Sequence, residues 1–204
     1  IKKCIFPFKK IREVHSNKIK LKAELHGLWS LEAAKKICLA LEEYNIDWVE
    51  DPIFMDQLDQ IPDLANFTNI KLAGGETLGG LSQIDDLIYR ANIDYPIIDV
   101  TWGGGITFAR KSSRLANSFS KTISFHDCSG PITLTVSTHL ALSTKNVKEQ
   151  EVTRSFYYNW YKDLVLNLPI IENGFISLSN KSGLGIEINK DCLKKQDIII
   201  KETM

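Results

Sequence analysis

Apolar and polar side chains alternate with a period of two in several short segments of the chain. Residues 20–25 are the clearest case, because lysine and glutamate side chains alternate there with Leu21, Ala23 and Leu25. Such alternation predicts a strand with one face in a core. Similar or mainly apolar segments predict further strands at 46–50, 70–73, 96–99 and 122–126, with weaker ones at 4–6 and 147–151.

Apolar residues recur at helical spacing between these strands. After Ser30, a residue type that caps helices, Ile37, Leu41 and Tyr44 share one helical face. The same spacing predicts helices at 81–91, 106–119 and 131–142. The segment 57–67 gives no clear prediction, because Pro62 interrupts its helical pattern.

Strand and helix therefore alternate, which predicts an α/β fold with a parallel sheet. Polar residues end the strands at steps of 23 to 27, the length of one βα unit: Glu24, Glu50, Glu76, Asp99 and His126. An open doubly wound sheet and a (β/α)₈ barrel both have this pattern. No G-x-G-x-x-G motif follows a strand. Since a barrel gathers its active site at the C-terminal ends of all its strands, the polar strand ends favour the barrel.

The strand count predicts two regions. We expect residues 1–151 to form a partial (β/α) barrel with about seven of its eight strands, which carries the active site. The missing first strand would lie upstream of Ile1. Residues 152–204, rich in aromatic and apolar side chains at their start, would form a C-terminal extension.

Composition excludes several classes of partner. The formal net charge is +0, so no basic surplus indicates binding to nucleic acid. No apolar run reaches the ~18 residues that a membrane span needs. The four cysteines are scattered without a C-x-x-C pair, which argues against a disulfide scaffold or a thiolate zinc site. We therefore expect a cytoplasmic protein with reduced thiols.

Three carboxylates fall in register on successive predicted strands. Glu24, Glu50 and Glu76 are 26 residues apart and then 26 again. Like charges that converge on one point repel unless a cation neutralises them. Because oxygen ligands favour hard divalent cations, we expect magnesium there, with manganese as the alternative.

Several motifs carry a resemblance to a known family. The stretches "AELHGLW", "WVEDP", "LAGGETLGG", "IIDVTWGGGIT" and "FHDCSGP" resemble the mandelate racemase branch of the enolase superfamily, in both order and spacing. The resemblance runs from about residue 18 to 188. It implies an N-terminal α+β capping domain upstream, against which the extension would pack. It also implies a homo-oligomer when full length and a small-molecule carboxylate as substrate.

The resemblance also implies roles for single residues. Glu50 and Glu76 match two metal ligands, and Glu24 stands where the first ligand, usually Asp, is found. Asp99 and His126 match a paired acid and base, and Glu151 matches the acid that hydrogen-bonds the substrate carboxylate. His26 matches the acid that protonates the departing hydroxide in dehydratases similar to galactonate dehydratase, where many epimerases carry Asn. If residues 4–6 are the second strand, Cys4 replaces a basic Lys.

This chemistry removes a proton α to a carboxylate, which creates an enediolate that a divalent cation stabilises. The interpretation favoured by His26 is a magnesium-dependent dehydration of a sugar acid to a 2-keto-3-deoxy acid. An epimerase or racemase of a 2-hydroxy or amino acid is the first alternative. The second is a barrel that binds a ligand without catalysis. Metal content, α-proton exchange and product identity distinguish the three.

Overall fold

Six parallel strands form one sheet in the computed structural model, which describes residues 1–194 and Ile199. The strands pair in chain order, so each lies beside the next along the sequence. They are β1 (Leu21–Glu24), β2 (Ile46–Glu50), β3 (Leu72–Gly74), β4 (Tyr95–Ile98), β5 (Ile123–Phe125) and β6 (Val147–Gln150). This is part of a (β/α) barrel, as the polar residues at the strand ends indicated.

Helices connect the strands and cover the outer face of the sheet. They are α1 (Lys2–His15), α2 (Leu31–Leu41), α3 (Ile61–Phe67), α4 (Leu81–Asp85), α5 (Val100–Gly103), α6 (Gly105–Ser118) and α7 (Pro131–Ser143). A π-helical turn at Asp86–Arg90 continues α4. The Ser30 hydroxyl caps α2 by accepting the Ala33 amide at 3.4 Å, as predicted. Pro62 lies in the first turn of α3, where the N–H that proline lacks would have no helical partner.

The predicted strand at residues 4–6 is wrong, because these residues belong to α1. Ile5, Phe8 and Ile11 recur at intervals of three and pack against the core, so the helical period operates there. An apolar triplet such as residues 4–6 is too short to distinguish the two periods. The sheet therefore has six strands among the described residues, and Cys4 does not end a strand.

The core lies between the sheet and its helices. α2 buries Ala34, Ile37, Cys38 and Leu41 on one face. The same apolar cluster contains fully buried side chains of the strands and of the other helices, among them Val49, Leu72, Ile84, Leu87 and Phe125. Apolar burial of this kind supplies the main driving force that holds a helix layer on a sheet.

The inner side of the sheet carries charge as well as apolar side chains. Lys22 of β1 forms an ion pair with Glu149 of β6, so the two edge strands meet across the interior. The Lys22 and Lys148 ammonium groups lie 4.0 and 4.8 Å from the ring centre of buried Trp48, close enough for cation–π attraction. These side chains fill the interior beneath the C-terminal ends of the strands.

The chain after β6 has its own small elements. They are α8 (Arg154–Tyr158), α9 (Tyr161–Leu164), β7 (Val165–Leu166), β8 (Ile170–Glu172), β9 (Phe175–Ser177) and β10 (Glu187–Ile188). β8 pairs with β9, and β7 pairs with β10, both antiparallel. The predicted extension 152–204 is thus described up to Lys194 and at Ile199, and its remaining residues lie outside the described ones.

Among the described residues, no helix combines the length and the apolar character that a membrane crossing requires. All four cysteines are free thiols.

Arg12 connects α1 by hydrogen bonds to the segments that precede β1 and β2. Its guanidinium donates hydrogen bonds to the carbonyls of Tyr44 at 2.6 Å, Asn45 at 2.9 Å, Ser16 at 2.9 Å and Ile19 at 2.7 Å. No other side chain offers this many donors in a planar arrangement.

We expect Arg12→Met to lower the free energy of unfolding by about 2 kcal/mol, because carbonyls that a charged donor satisfied lose their partner. Lys10→Met removes the same charge from the same helix, where Lys10 contacts only the exposed side chains of Glu13 and Phe6, so we expect a change below about 0.5 kcal/mol. Urea unfolding of the full-length variants measures both. Equal losses would contradict the role given to Arg12.

Candidate active site

The C-terminal ends of the six strands surround a cavity of about 610 Å³. Six of the seven predicted site residues line it: Glu24, His26, Glu50, Glu76, His126 and Glu151. The seventh, Asp99, is 1% exposed and contacts His126. The structure therefore brings all seven together, although they come from six different strand ends.

Three carboxylates meet on one side of this cavity. Glu24 and Glu50 are the paired last residues of β1 and β2, and Glu76 follows β3 by two residues. One oxygen of each lies within 4.8 Å of the others. Among the described residues this is the one group of three or more Asp, Glu, His or Cys side chains arranged to hold a metal ion. Its all-oxygen donor set fits a hard divalent cation such as magnesium.

Electrostatic crowding changes the acidity of this group. Burial, together with the negative charge of Glu24, raises the pKa of Glu50 to about 8. Burial likewise raises the pKa of Glu76, although the neighbouring His126 opposes the shift. Carboxylates that are costly to ionise when alone indicate a site that a cation would complete.

Trp48 orients one of these carboxylates. It lies two residues before Glu50 on β2, so both side chains point to the same side of the sheet. The Trp48 indole Nε1–H donates to Glu50 Oε2 at 2.9 Å. This bond engages one of the two oxygens of the Glu50 carboxylate and so orients the group.

Asp99 and His126 form a buried pair. Asp99 follows β4 and His126 follows β5, and the His126 Nδ1–H donates to Asp99 Oδ2 at 2.8 Å. Burial disfavours the charge on Asp99, but hydrogen bonds from His126 and from the Trp102 amide outweigh it and lower the pKa of Asp99. Burial also disfavours the imidazolium, yet the bond to Asp99 and the charge of Glu76 raise the pKa of His126 to about 9.

The other imidazole nitrogen of His126 is directed to the carboxylates. Nε2 lies 3.3 Å from Glu76 Oε2 and 3.9 Å from Glu151 Oε2. The indole of Trp102 lies over the His126 ring, with ring centres 4.9 Å apart. The ring is therefore fixed by Asp99 on one edge, by Trp102 on one face, and open to the cavity at Nε2.

His26 reaches the cavity in a way that the strand pattern did not predict. The alternating pattern predicted a strand over residues 20–25, directly before His26, but β1 already ends at Glu24. His26 lies in a turn with a left-handed backbone, φ 53°. Its Nδ1 lies 3.0 Å from Glu24 Oε1, and this contact raises the pKa of His26. The side chain is 67% exposed.

Glu151 follows β6 and is held by the neighbouring strand end. Its Oε2 accepts the backbone N–H of Asp127 at 2.9 Å. Desolvation in the cavity raises the pKa of Glu151. A carboxyl group with a raised pKa retains its proton to higher pH and can then donate a hydrogen bond.

Sequence reasoning missed several residues that line this cavity, among them two tryptophans, a lysine and a phenylalanine. Trp48 and Lys22 line the cavity two positions before Glu50 and Glu24, so the period-two pattern contained their signal. Trp102 lies inside the motif "IIDVTWGGGIT", three residues after Asp99. Phe156 of α8 also lines the cavity, and no local pattern connects it to the strand ends.

Comparisons with known proteins point to one family. A family model described as "Enolase C-terminal domain-like" matches residues 2–192. A curated "D-galactonate dehydratase family member" of Enterococcus gallinarum is 31% identical over 196 residues, which cover 94% of this chain and 48% of that protein. The "D-galactonate dehydratase" of Xanthomonas campestris pv. campestris is 31% identical over 190 residues, 91% of this chain and 50% of that protein.

A solved structure agrees with the same assignment. The crystal structure of an enolase of the mandelate racemase subgroup from Agrobacterium tumefaciens superposes with a TM-score of 0.89 and 36% identity. The match covers 95% of this chain and 53% of that one. The chain thus spans about half the length of the relatives that it matches.

The Asp99–His126 contact predicts one imidazole tautomer. An ionised Asp99 only accepts, so it holds the proton on Nδ1 of a neutral ring. We expect Asp99→Asn to give a mixture of tautomers, because the amide offers both a donor and an acceptor. Nitrogen-15 NMR of the imidazole, with the signals assigned by substitution, measures the ratio.

Ser129→Ala is the matched control for this prediction. The Ser129 hydroxyl donates to the same Asp99 oxygen at 3.3 Å, so its loss should leave the tautomer unchanged. A single Nδ1–H tautomer in Asp99→Asn would contradict the orienting role of Asp99.

Proposed function

The chain belongs to the enolase C-terminal domain-like family, and from this premise we propose that the full-length protein dehydrates a sugar acid to a 2-keto-3-deoxy acid. One observation carries the proposal: His126, paired with Asp99, and His26, paired with Glu24, both line the cavity that also contains the three-carboxylate cluster. Dehydration needs a base for the α-proton and an acid for the β-hydroxyl, and the cavity offers an imidazole for each task.

A divalent cation completes the proposal. Glu24, Glu50 and Glu76 would hold it, because their oxygens converge within 4.8 Å and crowding makes their charges costly. When bound, magnesium, or manganese in its place, supplies positive charge that offsets the negative charge developing on the substrate. Glu24 is one methylene longer than Asp, but its carboxylate still converges with those of Glu50 and Glu76.

His126 is the proposed base. Because Nδ1–H is committed to Asp99, Nε2 faces the cavity. Although burial opposes the shift, Asp99 and Glu76 raise the pKa of His126 to about 9, so the ring must first become neutral, which is easier when a cation offsets the charge of Glu76. The Nε2 lone pair of the neutral ring then takes the α-proton. Trp102 covers the ring and limits the access of water to it. Glu151, oriented by the Asp127 amide, donates a hydrogen bond to the substrate carboxylate while it keeps its own proton.

His26 is the proposed acid. The contact with Glu24 raises the pKa of His26, so the ring keeps its proton closer to neutral pH. It gives that proton to the β-hydroxyl, which leaves as water while electrons from the broken α-C–H bond form the double bond. The resulting enol rearranges to the 2-keto-3-deoxy acid. D-Galactonate is the first candidate substrate, because it is part of the relatives' names.

The epimerase alternative stays open on one point. A racemase or epimerase needs a base on each face of the α-carbon, and Cys4 would have replaced the second base if residues 4–6 formed a strand. Cys4 lies in α1 instead, so its identity does not argue against an epimerase. The choice between dehydration and epimerisation therefore rests on His26 and on the names of the relatives.

For the metal, we expect Glu50→Gln to abolish detectable magnesium or manganese binding and dehydration. When both proteins are free of metal, the variant should also be more stable than the wild type above pH 8. Folding raises the pKa of Glu50 from 4.5 to about 8, so the folded state loses stability as the pH rises from about 4.5 to about 8, and glutamine, which does not ionise, removes that loss.

Calorimetric titration with the metal ion and unfolding curves measure these effects. Glu32→Gln, at an exposed position on α2, should match the wild type in both. Full metal occupancy in Glu50→Gln would exclude this site.

For the two histidines, we expect different losses. His126→Asn should abolish exchange of the substrate α-proton with deuterium from solvent. His26→Asn should still exchange it slowly but form little 2-keto-3-deoxy product, because the hydroxyl then leaves unprotonated. Proton NMR in D₂O follows both signals. Metal binding should persist in both variants.

His139→Asn serves as the control, since His139 lies on α7 and contacts the Leu184 carbonyl instead of the cavity. Wild-type dehydration by His26→Asn would remove its role as the acid. An α-epimer formed by the wild-type protein would favour the epimerase instead.

A further inference from the structure

We propose that Asp127 is a positioning residue that fixes the segment Thr153–Tyr161 as a wall of the catalytic cavity. Asp127 directly follows His126, yet its side chain turns away from the cavity and is fully buried. Neither the base, the acid nor the metal cluster uses this carboxylate.

Asp127 is the centre of a hydrogen-bond network with the chain that follows β6. Its Oδ2 accepts the Thr153 amide at 2.9 Å, and its Oδ1 accepts the Tyr161 hydroxyl at 2.8 Å. The Asp127 carbonyl accepts the Thr153 hydroxyl, and the Asp127 amide donates to Glu151 at 2.9 Å. Asp127, the residue after His126, therefore holds Thr153 and Tyr161 at the two ends of the segment. It also holds the Glu151 carboxylate, which precedes the segment.

Burial makes this network strong. A buried carboxylate without hydrogen bonds is costly, so the donors on Asp127 are needed to stabilise it. Tyr161 is also fully buried, and its hydroxyl would lose its partner if the segment moved away. The segment thus has one low-energy position relative to His126, which is set by three donors to one residue.

The fixed segment carries Phe156 into the cavity. Phe156 and Thr153 line the cavity beside His126 and Trp102. The Phe156 ring contacts those of Tyr161 and Trp160, with centre distances of 6.0 and 5.4 Å. Tyr161 therefore links Asp127 to Phe156, and the position of the wall against the substrate depends on that link.

The chain offers a matched pair of variants. Tyr161→Phe removes the hydroxyl that contacts Asp127. Tyr157→Phe removes the hydroxyl that donates to the Pro169 carbonyl at 2.7 Å. Tyr157 belongs to the same segment Thr153–Tyr161 but lies outside the Asp127 network. Both changes delete one oxygen atom from a tyrosine with a hydrogen-bonded hydroxyl. Thr153→Val removes the Thr153 hydroxyl that donates to the Asp127 carbonyl. It is the second variant in case Tyr161→Phe does not fold.

Amide hydrogen exchange tests the link without any activity. In the full-length protein we expect Tyr161→Phe to speed exchange in residues 153–161 at least about tenfold, and to leave β5 residues 123–125 unchanged. Tyr157→Phe should not affect 153–161 in this way. Unchanged exchange in the segment, or an equal increase throughout the sheet, would overturn the proposal.

Kinetics tests the wall, and this part rests on the proposed function. With whichever of D-galactonate or D-gluconate the wild type dehydrates, Tyr161→Phe should raise KM about five- to tenfold and keep kcat within about twofold. A lower apparent kcat at constant KM would mean that the variant only loses folded protein. That result would contradict the role of the segment as a wall of the cavity. If the wild type dehydrates neither acid, the proposed function fails while the exchange experiment still decides the role of Asp127.

Discussion

Neighbouring strands of a sheet lie about 4.8 Å apart, and in this chain two such strands end at paired positions in Glu24 and Glu50. The parallel register therefore forces carboxylates together that would separate in a flexible chain. Glu76 joins them from the next strand, and His126 approaches from the far side. The pKa shifts, the pairing of the histidines and the fit to a hard cation all follow from this imposed proximity. The apolar layer behind the sheet stabilises the arrangement, because the charged residues themselves do not.

The interior below the carboxylates contains two lysines, each paired with an acid outside the cluster. Lys22 contacts Glu149 across the interior, and Lys148 lies 3.1 Å from Asp47. Both ammonium groups also lie against the Trp48 ring, whose N–H reaches Glu50. The Trp48 indole therefore contacts both the two lysine ammonium groups beneath the cavity and the Glu50 carboxylate in it.

Local periodicity was sufficient to predict most of the fold and the strand-end residues. Six strands and the main helices follow from spacing, and so do the positions of Glu24, Glu50, Asp99 and His126. The errors arose where a pattern was short or ended early, as in residues 4–6 and at His26. The contacts of Asp127 were beyond sequence reasoning for a different reason. Its partners are 24 to 34 residues away along the chain, and only the closure of the fold brings them to it.

The left-handed turn at His26 also limits how this site can change during evolution. Histidine, asparagine and aspartate tolerate φ > 0 far better than β-branched or bulky residues do. With φ at 53°, few residue types fit the position without strain. A histidine codon becomes an asparagine codon by one nucleotide substitution. A single nucleotide substitution can therefore exchange histidine, which can donate a proton to a leaving group, for asparagine, which cannot. Most other replacements at this position would strain the backbone and destabilise the fold.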